Sequence, residues 1–185
     1  GYKIKLLGFA ELLNNKIYQR VHPTLIKKES FVASIDGVLN TVIVDGAPVG
    51  QSTIQGEGAG PAATTSALIS DISSILRGNI KFPFSLSSMK RKKLKFENIN
   101  ERFFSAYFRF EVLDKPGVLS SITNVFSKNK TSIKRLIQNP KKNKKISSVI
   151  VITHDSKDKY LNKILKEISK KNYLKRKPKL IRIDD

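Results

Sequence analysis

Two glycine-containing stretches carry the residue types that bind anionic groups through the backbone. The first is GEGAGPAATTSALISDI, in which Gly56, Gly58 and Gly60 alternate with other residues before Pro61 and an apolar pattern of helical spacing. Glycine adopts positive φ angles and allows a ligand to approach the backbone, and the free N–H groups of a helix N-terminus attract anions. The stretch therefore indicates either a nucleotide contact or a tight turn from a strand into a helix.

The second stretch is DKPGVLSSI, residues 114–122. Pro116 fixes its own φ angle, Gly117 permits a close approach, and the N–H groups of Gly117, Val118 and Leu119 lack helical acceptors where a helix begins. Such a turn can receive the carboxylate of a small ligand. We take Asp114, Gly117, Val118 and Leu119 as the candidate residues for binding such a ligand, although the stretch taken alone favours a plain strand-to-helix turn.

The first stretch departs from the fingerprint of a dinucleotide-binding βαβ unit. That fingerprint is G-x-G-x-x-G directly after a strand, with a second strand after the helix and an acidic residue about 20 positions on. Here the spacing is G-x-G-x-G, and the helix is followed by a stretch without clear periodicity. The glycines alone therefore do not predict the main phosphate-binding loop.

Composition narrows the function classes. The chain has 185 residues, no cysteine and two distant histidines, His22 and His154, so we expect neither disulfides nor a metal site. It has no signal peptide and no apolar run long enough to cross a bilayer, which predicts a cytoplasmic protein without a membrane partner. The chain begins with Gly1 inside a strand-like pattern, which suggests the C-terminal piece of a longer protein.

The charge of the chain is strongly asymmetric. The net charge is +20, but residues 1–77 carry seven basic and six acidic residues, whereas residues 78–185 carry 28 basic and nine acidic ones. The excess is mostly lysine, as in KRKKLK at 90–95 and KKNKK at 141–145. Aromatic residues that could stack on bases are not interleaved with these runs, which disfavours nucleic acid as a partner. Lysine-rich solvated loops are the simpler explanation.

Hydrophobic periodicity divides the chain into two blocks. In the first, strands are predicted at 3–12, 16–21, 39–44 and 49–54, with an irregular stretch at 22–37 and a helix at 61–77. Pro61 suits the first helical turn, and Gly78 suits the end of the helix. Residues 79–100 are predicted to form a linker that Phe82 and Phe84 pin to a surface.

The second block, residues 101–185, has the order strand–helix–strand–strand–helix–strand. FSAYFRFEV places Phe104, Ala106, Phe108, Phe110 and Val112 on one face, and two amphipathic helices follow at helical spacing. Residue 155 or 156 is predicted to cap the second helix. A βαββαβ order is typical of the ferredoxin-like fold, with an antiparallel sheet covered on one face by two helices.

Taken together, these motifs resemble the homoserine dehydrogenase family. GYKIKLLGFAE, RVHPTLI, DGVLNTVIV and QGEGAGPAATTSALISDI follow the order found at the end of that family's catalytic domain, and the block with the DKPGVL turn is similar to the ACT domain that many of its members carry. The implied fold class is α+β, the end of a mixed-sheet catalytic domain at 1–78, a linker at 79–100 and a ferredoxin-like βαββαβ ACT domain at 101–185.

The resemblance implies an oxidoreductase that interconverts L-homoserine and L-aspartate-4-semialdehyde with NADP or NAD, on the route to threonine, methionine and isoleucine. Gly60 matches the glycine that approaches the cofactor, and Gly58 and Thr64 are weaker candidates. The main nucleotide domain and the catalytic residues are expected upstream of Gly1, so this chain alone is predicted to be inactive.

The resemblance also implies partners. ACT domains commonly pair side by side and bind an amino acid, so we expect a homodimer formed through the catalytic and ACT segments, with an amino-acid effector such as threonine. Two alternatives stay open: an ACT block that only dimerises, and a non-enzymatic amino-acid-binding module whose basic surface docks on an acidic partner.

Overall fold

The computed structural model describes residues 1–79, 87–141 and 145–184. The chain forms two compact units: one contains residues 1–27 together with the described residues from 95 onward, and the other contains residues 28–94. No described helix is long and apolar enough to cross a membrane. Phe82 and Phe84, which were predicted to pin the linker to a surface, lie outside the described residues. Most of the KKNKK run lies outside them as well.

The described residues form ten strands and three α-helices. Those from the first block are β1 (Tyr2–Leu13), β2 (Lys16–Lys27), β3 (Leu39–Gly46), β4 (Gly50–Glu57) and α1 (Pro61–Leu76). The rest are β5 (Lys95–Phe96), β6 (Phe103–Leu113), α2 (Val118–Lys128), β7 (Ile133–Pro140), β8 (Ile146–Thr153), β9 (Ser156–Lys157), α3 (Asp158–Ser169) and β10 (Lys179–Asp184). The predicted βαββαβ order is thus confirmed, with the short β9 added before α3.

One continuous sheet runs through the first unit in the order β1-β2-β10-β6-β8-β7. Neighbouring strands in this order are antiparallel except β2 and β10, which are parallel, with Thr24 opposite Arg182. The short β5 also pairs with β2 in parallel. Strand β2 is longer than predicted, because residues 22–27 continue it: all of them pair with β1, and residues 24–26 also pair with β10. Pro23 falls between the stretches of β2 that pair with β5 and with β10.

The core of this unit lies between the sheet and helices α2 and α3. The five residues predicted to share one face of β6 are all buried, namely Phe104, Ala106, Phe108, Phe110 and Val112. Ring centroids of Phe108 and Phe126 lie 5.1 Å apart in an edge-to-face arrangement, which favours aromatic pairs. Ile122 of α2 and Ile164 of α3 complete the buried layer. Burial of this apolar surface is the main source of the unit's stability.

The second unit contains the β3–β4 hairpin and helix α1. Gly78 has φ = 71° and its N–H donates to the carbonyl of Ile75, so the helix ends as predicted. The helix predicted from this apolar spacing is confirmed, and no residue of α1 is buried. Leu68 and Leu76, for example, are 58% and 82% exposed.

One sequence-based expectation, the cap of helix α3, is wrong. Helix α3 begins at Asp158 with Lys157 as its N-cap, so neither residue 155 nor 156 caps it. The hydroxyl of Ser156 instead lies 2.9 Å from that of Thr131, and Asp155 accepts a hydrogen bond from Ser105. The compact units also differ from the predicted boundaries 1–78, 79–100 and 101–185, because the pairing of β2 with β10 joins residues 1–27 to the C-terminal block. As a division between family segments, those boundaries stay a prediction.

Candidate functional site

The turn before α1 presents Gly60 to open space. Gly60 is the N-cap residue of α1, with φ = 126° and ψ = 152°, and a side-chain carbon at this position would meet no atom within 4 Å. Its carbonyl accepts the N–H of Thr64 at 3.0 Å, and Thr64 is exposed in the first turn. This geometry allows an anionic group to approach Gly60 at the positive end of a 16-residue helix.

Gly58 has a different environment. Its N–H donates to the carbonyl of Val38 at 2.8 Å, and a Cβ atom built on it would lie 1.7 Å from Nδ2 of Asn40. A side chain at residue 58 would therefore have to displace the exposed side chain of Asn40. The structure thus gives Gly58 a packing role, and it leaves Gly60 and Thr64 as the open positions of this turn.

The four predicted effector residues surround one cavity. Asp114, Gly117, Val118 and Leu119 all line a cavity of about 380 Å³ between the end of β6 and the start of α2. Strand β7 contributes Gln138 to the same wall. Sequence reasoning did not single out Gln138, since its position beside the turn follows from the pairing of β7 with β8.

The backbone of the turn offers fewer free donors than predicted. The N–H of Val118 donates to the carbonyl of Lys115 at 3.3 Å, so it is not unpaired. The N–H groups of Gly117 and Leu119 have no acceptor within the part of the chain that the structure describes. Gly117 has φ = 85°, in the left-handed region that glycine tolerates best. Of the three predicted donors, those of Gly117 and Leu119 therefore remain for an anionic group.

A carboxylate lies beside these donors. The side-chain amide of Gln138 donates to Oδ1 of Asp114 at 3.1 Å, and the N–H of Asp114 donates to the carbonyl of Lys145 at 3.0 Å. Both bonds fix the position of Asp114 at the cavity wall. An anionic side chain next to free N–H donors complements a ligand that carries both an ammonium and a carboxylate group.

A second cavity, of about 520 Å³, lies elsewhere in the same unit and was missed from the sequence. Its wall includes Phe9 and Arg20 from the β1–β2 hairpin, Phe104 from β6 and Asp184 from β10. These residues come together only through the pairing of β2 with β10, which no local pattern predicts. Arg20 shares the buried face of β2 with Tyr18 and Thr24, and no alternation of apolar and polar residues in the sequence indicated this.

Family models match both blocks of the chain. Residues 1–73 match the model described as homoserine dehydrogenase, and residues 108–173 match an ACT domain of the acetohydroxyacid synthase small-subunit-like type. A homoserine dehydrogenase from Helicobacter pylori is 34% identical over 186 residues that cover 100% of this chain. The chain is homologous to homoserine dehydrogenases over its whole length. The resemblance inferred from the ordered motifs is confirmed.

Other homoserine dehydrogenases give the same alignment. The enzyme from Neisseria gonorrhoeae is 30% identical over the whole chain. The crystal structure of a homoserine dehydrogenase from Thiobacillus denitrificans superposes with a TM-score of 0.80 at 30% identity, covering 100% of this chain and 43% of that one. That from S. aureus gives a TM-score of 0.54 at 26% identity. The chain spans 44% of the length of the H. pylori and N. gonorrhoeae homoserine dehydrogenases.

Proposed function

We propose that this chain is part of a homoserine dehydrogenase that interconverts L-homoserine and L-aspartate-4-semialdehyde on the route to threonine, methionine and isoleucine. The proposal is supported by homology over the whole chain together with an ACT-type match in the second block. Since the chain spans 44% of its curated relatives, the proposed reaction belongs to the complete enzyme. We expect residues 1–185 alone to be inactive, because the family places its main nucleotide domain and catalytic residues before this segment.

The proposed cofactor is NADP or NAD, and the chain contributes one secondary contact to it. Gly60 and Thr64 fit this role, because the space above Gly60 is open and helix α1 directs its positive end toward it. Gly58 fits less well as a direct contact, since Asn40 fills the adjacent space. The bound nicotinamide would accept or supply the hydride, while this turn would help to hold the dinucleotide in place.

The second proposed activity is the binding of an amino-acid effector, with threonine as the first candidate. The observation that carries it is the convergence of Asp114, Gly117, Val118 and Leu119 on one cavity. The N–H groups of Gly117 and Leu119 would receive the ligand's carboxylate, and Asp114 would pair with its ammonium group. An effector of this kind regulates the enzyme only if it binds one conformation or assembly more tightly than another.

A homodimer belongs to the same proposal. Strand β7 stands at one end of the described sheet, next to the effector cavity, so its outer backbone groups are available to pair with a second copy. Residues 134–135 and 137–139 on this strand are exposed. A second copy at β7 would lie beside Gln138 and would cover one side of the cavity.

A cytoplasmic location is proposed on the family resemblance alone.

Calorimetric titration of the 185-residue chain with L-threonine tests the effector proposal. We expect saturable binding that N-acetyl-L-threonine does not reproduce, because acetylation removes the charge that would pair with Asp114. The Asp114→Asn variant keeps the shape of the side chain and should bind threonine on the order of tenfold more weakly, since a charge-assisted bond becomes a neutral one. Asp71→Asn, on the exposed surface of α1, is the matched control.

Equal heats for threonine and its N-acetyl derivative, or an Asp114→Asn variant that binds normally, would contradict the effector proposal.

The enzymatic proposal needs a separate assay of the complete protein. We expect NADP- or NAD-dependent oxidation of L-homoserine by the full-length protein and none by residues 1–185. A full-length protein that folds and binds threonine but does not oxidise homoserine would refute the enzymatic proposal and leave the effector site intact.

A further inference from the structure

The second cavity contains a buried guanidinium group. Arg20 lies on β2, and its side chain is only 4% exposed. Its guanidinium carbon lies 5.2 Å from the centre of the Phe9 ring and 5.0 Å from that of Phe104. Contacts of this kind stabilise a cation against aromatic faces, but they satisfy none of its hydrogen-bond donors. The charge of Arg20 therefore depends on the few polar groups within reach.

The hydrogen bonds of Arg20 are incomplete. A guanidinium group has five N–H donors. Nη2 donates to Oδ2 of Asp184 at 2.6 Å, Nη1 lies 3.5 Å from Nε2 of His22, and Nε has no partner among the described residues. A buried charge with one short bond is under-satisfied, because desolvated donors without acceptors are unfavourable. The site can therefore accept further anionic oxygen atoms.

Asp184 is the more exposed member of this pair. The side chain of Asp184 is 45% exposed, whereas that of Arg20 is 4% exposed. Asp184 is also the last residue of β10. The end of a strand is where backbone pairing opens most easily. Movement of the Asp184 side chain into solvent would uncover the guanidinium group from the side of the cavity.

The cavity in front of Arg20 has an apolar rim and a balanced charge. Phe9 and Phe103, which are 41% and 60% exposed, stand at its edge, and Tyr18 lines it further in. The charged residues along its wall are three basic and three acidic, namely Arg20, Arg102, Lys134, Glu11, Asp155 and Asp184. Exposed rings beside a buried cation are an arrangement that favours an anion with an apolar body.

We propose that this cavity binds a small organic carboxylate, whose carboxylate group takes the place of the Asp184 side chain on Arg20. The bound Asp184 side chain is the template for this ligand, since it already places one carboxylate on the guanidinium group. A monoanion restores the charge balance of the wall when Asp184 leaves, whereas a phosphate dianion would leave it negative. The aromatic rim would cover the apolar part of the ligand.

This site is separate from the proposed effector cavity. It is lined by the β1–β2 hairpin and the end of β10, and it shares no lining residue with the cavity at Gly117. Binding here would release Asp184 from Arg20 and would thereby break one ion pair that connects β2 with β10. Its failure in a test would leave the threonine proposal and the enzymatic proposal unaffected.

The test is a calorimetric titration of the 185-residue chain with phenylacetate, with phenylacetamide and inorganic phosphate as comparison ligands. We expect phenylacetate to bind and phenylacetamide not to bind. Asp184→Asn removes the competing charge and should strengthen phenylacetate binding about tenfold, since a charge-assisted hydrogen bond no longer has to be displaced. Arg20→Met keeps an apolar stem between the rings and should abolish binding, and Asp71→Asn should change nothing.

A second measurement locates the ligand. The Nε–H signal of Arg20 in a ¹H–¹⁵N spectrum should shift saturably with phenylacetate, and it should shift at lower concentrations in Asp184→Asn. Absence of phenylacetate binding in both the unsubstituted chain and Asp184→Asn would overturn the proposal. Unchanged affinity in Asp184→Asn, tighter binding of phosphate than of phenylacetate, or equal binding of phenylacetamide would overturn it as well.

Discussion

Replacing Arg182 with methionine is expected to lower the free energy of unfolding of the first unit by about 3–5 kcal/mol. Arg182 donates from Nε and Nη2 to Oδ1 of Asp158 at 2.7 and 2.6 Å, and the Asp158 side chain is only 2% exposed. The other carboxylate oxygen keeps one bond, from Asn162 at 2.6 Å. The substitution therefore leaves a buried carboxylate whose Oδ1 has lost both of its Arg182 donors, and such uncompensated charge is strongly destabilising.

Urea unfolding measures this loss. With a slope of about 2 kcal/mol per molar urea, the midpoint should fall by about 2 M. Asp158→Asn combined with Arg182→Met should recover part of the loss, because no unpaired charge remains in the core. Lys163→Met is the control: Nζ of Lys163 lies 4.0 Å from Glu167 and both are exposed, so its loss should cost less than about 1 kcal/mol. An Arg182→Met midpoint no lower than that of Lys163→Met would refute the reasoning.

Three further predictions follow from single environments. Burial, together with the charges of nearby arginines, lowers the pKa of His22. The stability of the fold should therefore be fully present above pH 6.5 and should fall as the pH drops through the folded-state pKa. Urea midpoints measured across pH 5–8 should vary less with pH for His22→Gln than for the unsubstituted chain. Leu76 is exposed, so Leu76→Lys should change the free energy of unfolding by less than about 0.5 kcal/mol. Ile164 is buried, so Ile164→Ala should lower it by about 2–5 kcal/mol. Similar losses for the two variants in thermal unfolding would contradict the burial of Ile164 and the exposure of Leu76. Gly58→Ala should destabilise the turn by forcing Asn40 aside, and Asn40→Ala should relieve that effect in the double variant; additive thermal shifts would contradict the packing role of Gly58.

The elements with strong periodicity could be predicted from the sequence. Phe108 and Phe110 alternate with polar residues along one strand, and every residue predicted for that face is buried, because a two-residue period specifies a half-buried strand. Helix α1 begins at Pro61 and ends before Gly78 as predicted, because both residues have strong positional preferences at helix ends. The Gly117 turn was likewise predicted in place, and its four candidate residues share a cavity.

The features that were missed depend on long-range pairing. Arg20 and Asp184 are 164 positions apart in the chain, and their contact follows from the parallel pairing of β2 with β10. Local patterns carry no information about which distant strand fills a sheet position. The cap of α3 was wrong for a related reason: the Ser156 hydroxyl contacts Thr131, from a loop between α2 and β7, instead of the start of the helix.

The central proposal for this chain is that the turn at Gly117 holds an amino acid through its backbone. The most direct measurement is a ¹H–¹⁵N spectrum of the 185-residue chain titrated with L-threonine. We predict that the amide signals of Gly117 and Leu119 shift saturably, and that those of Gly46 and Gly60, in the other unit, do not move. Threonine binding that leaves the Gly117 and Leu119 signals unchanged, or no binding at all, would contradict it.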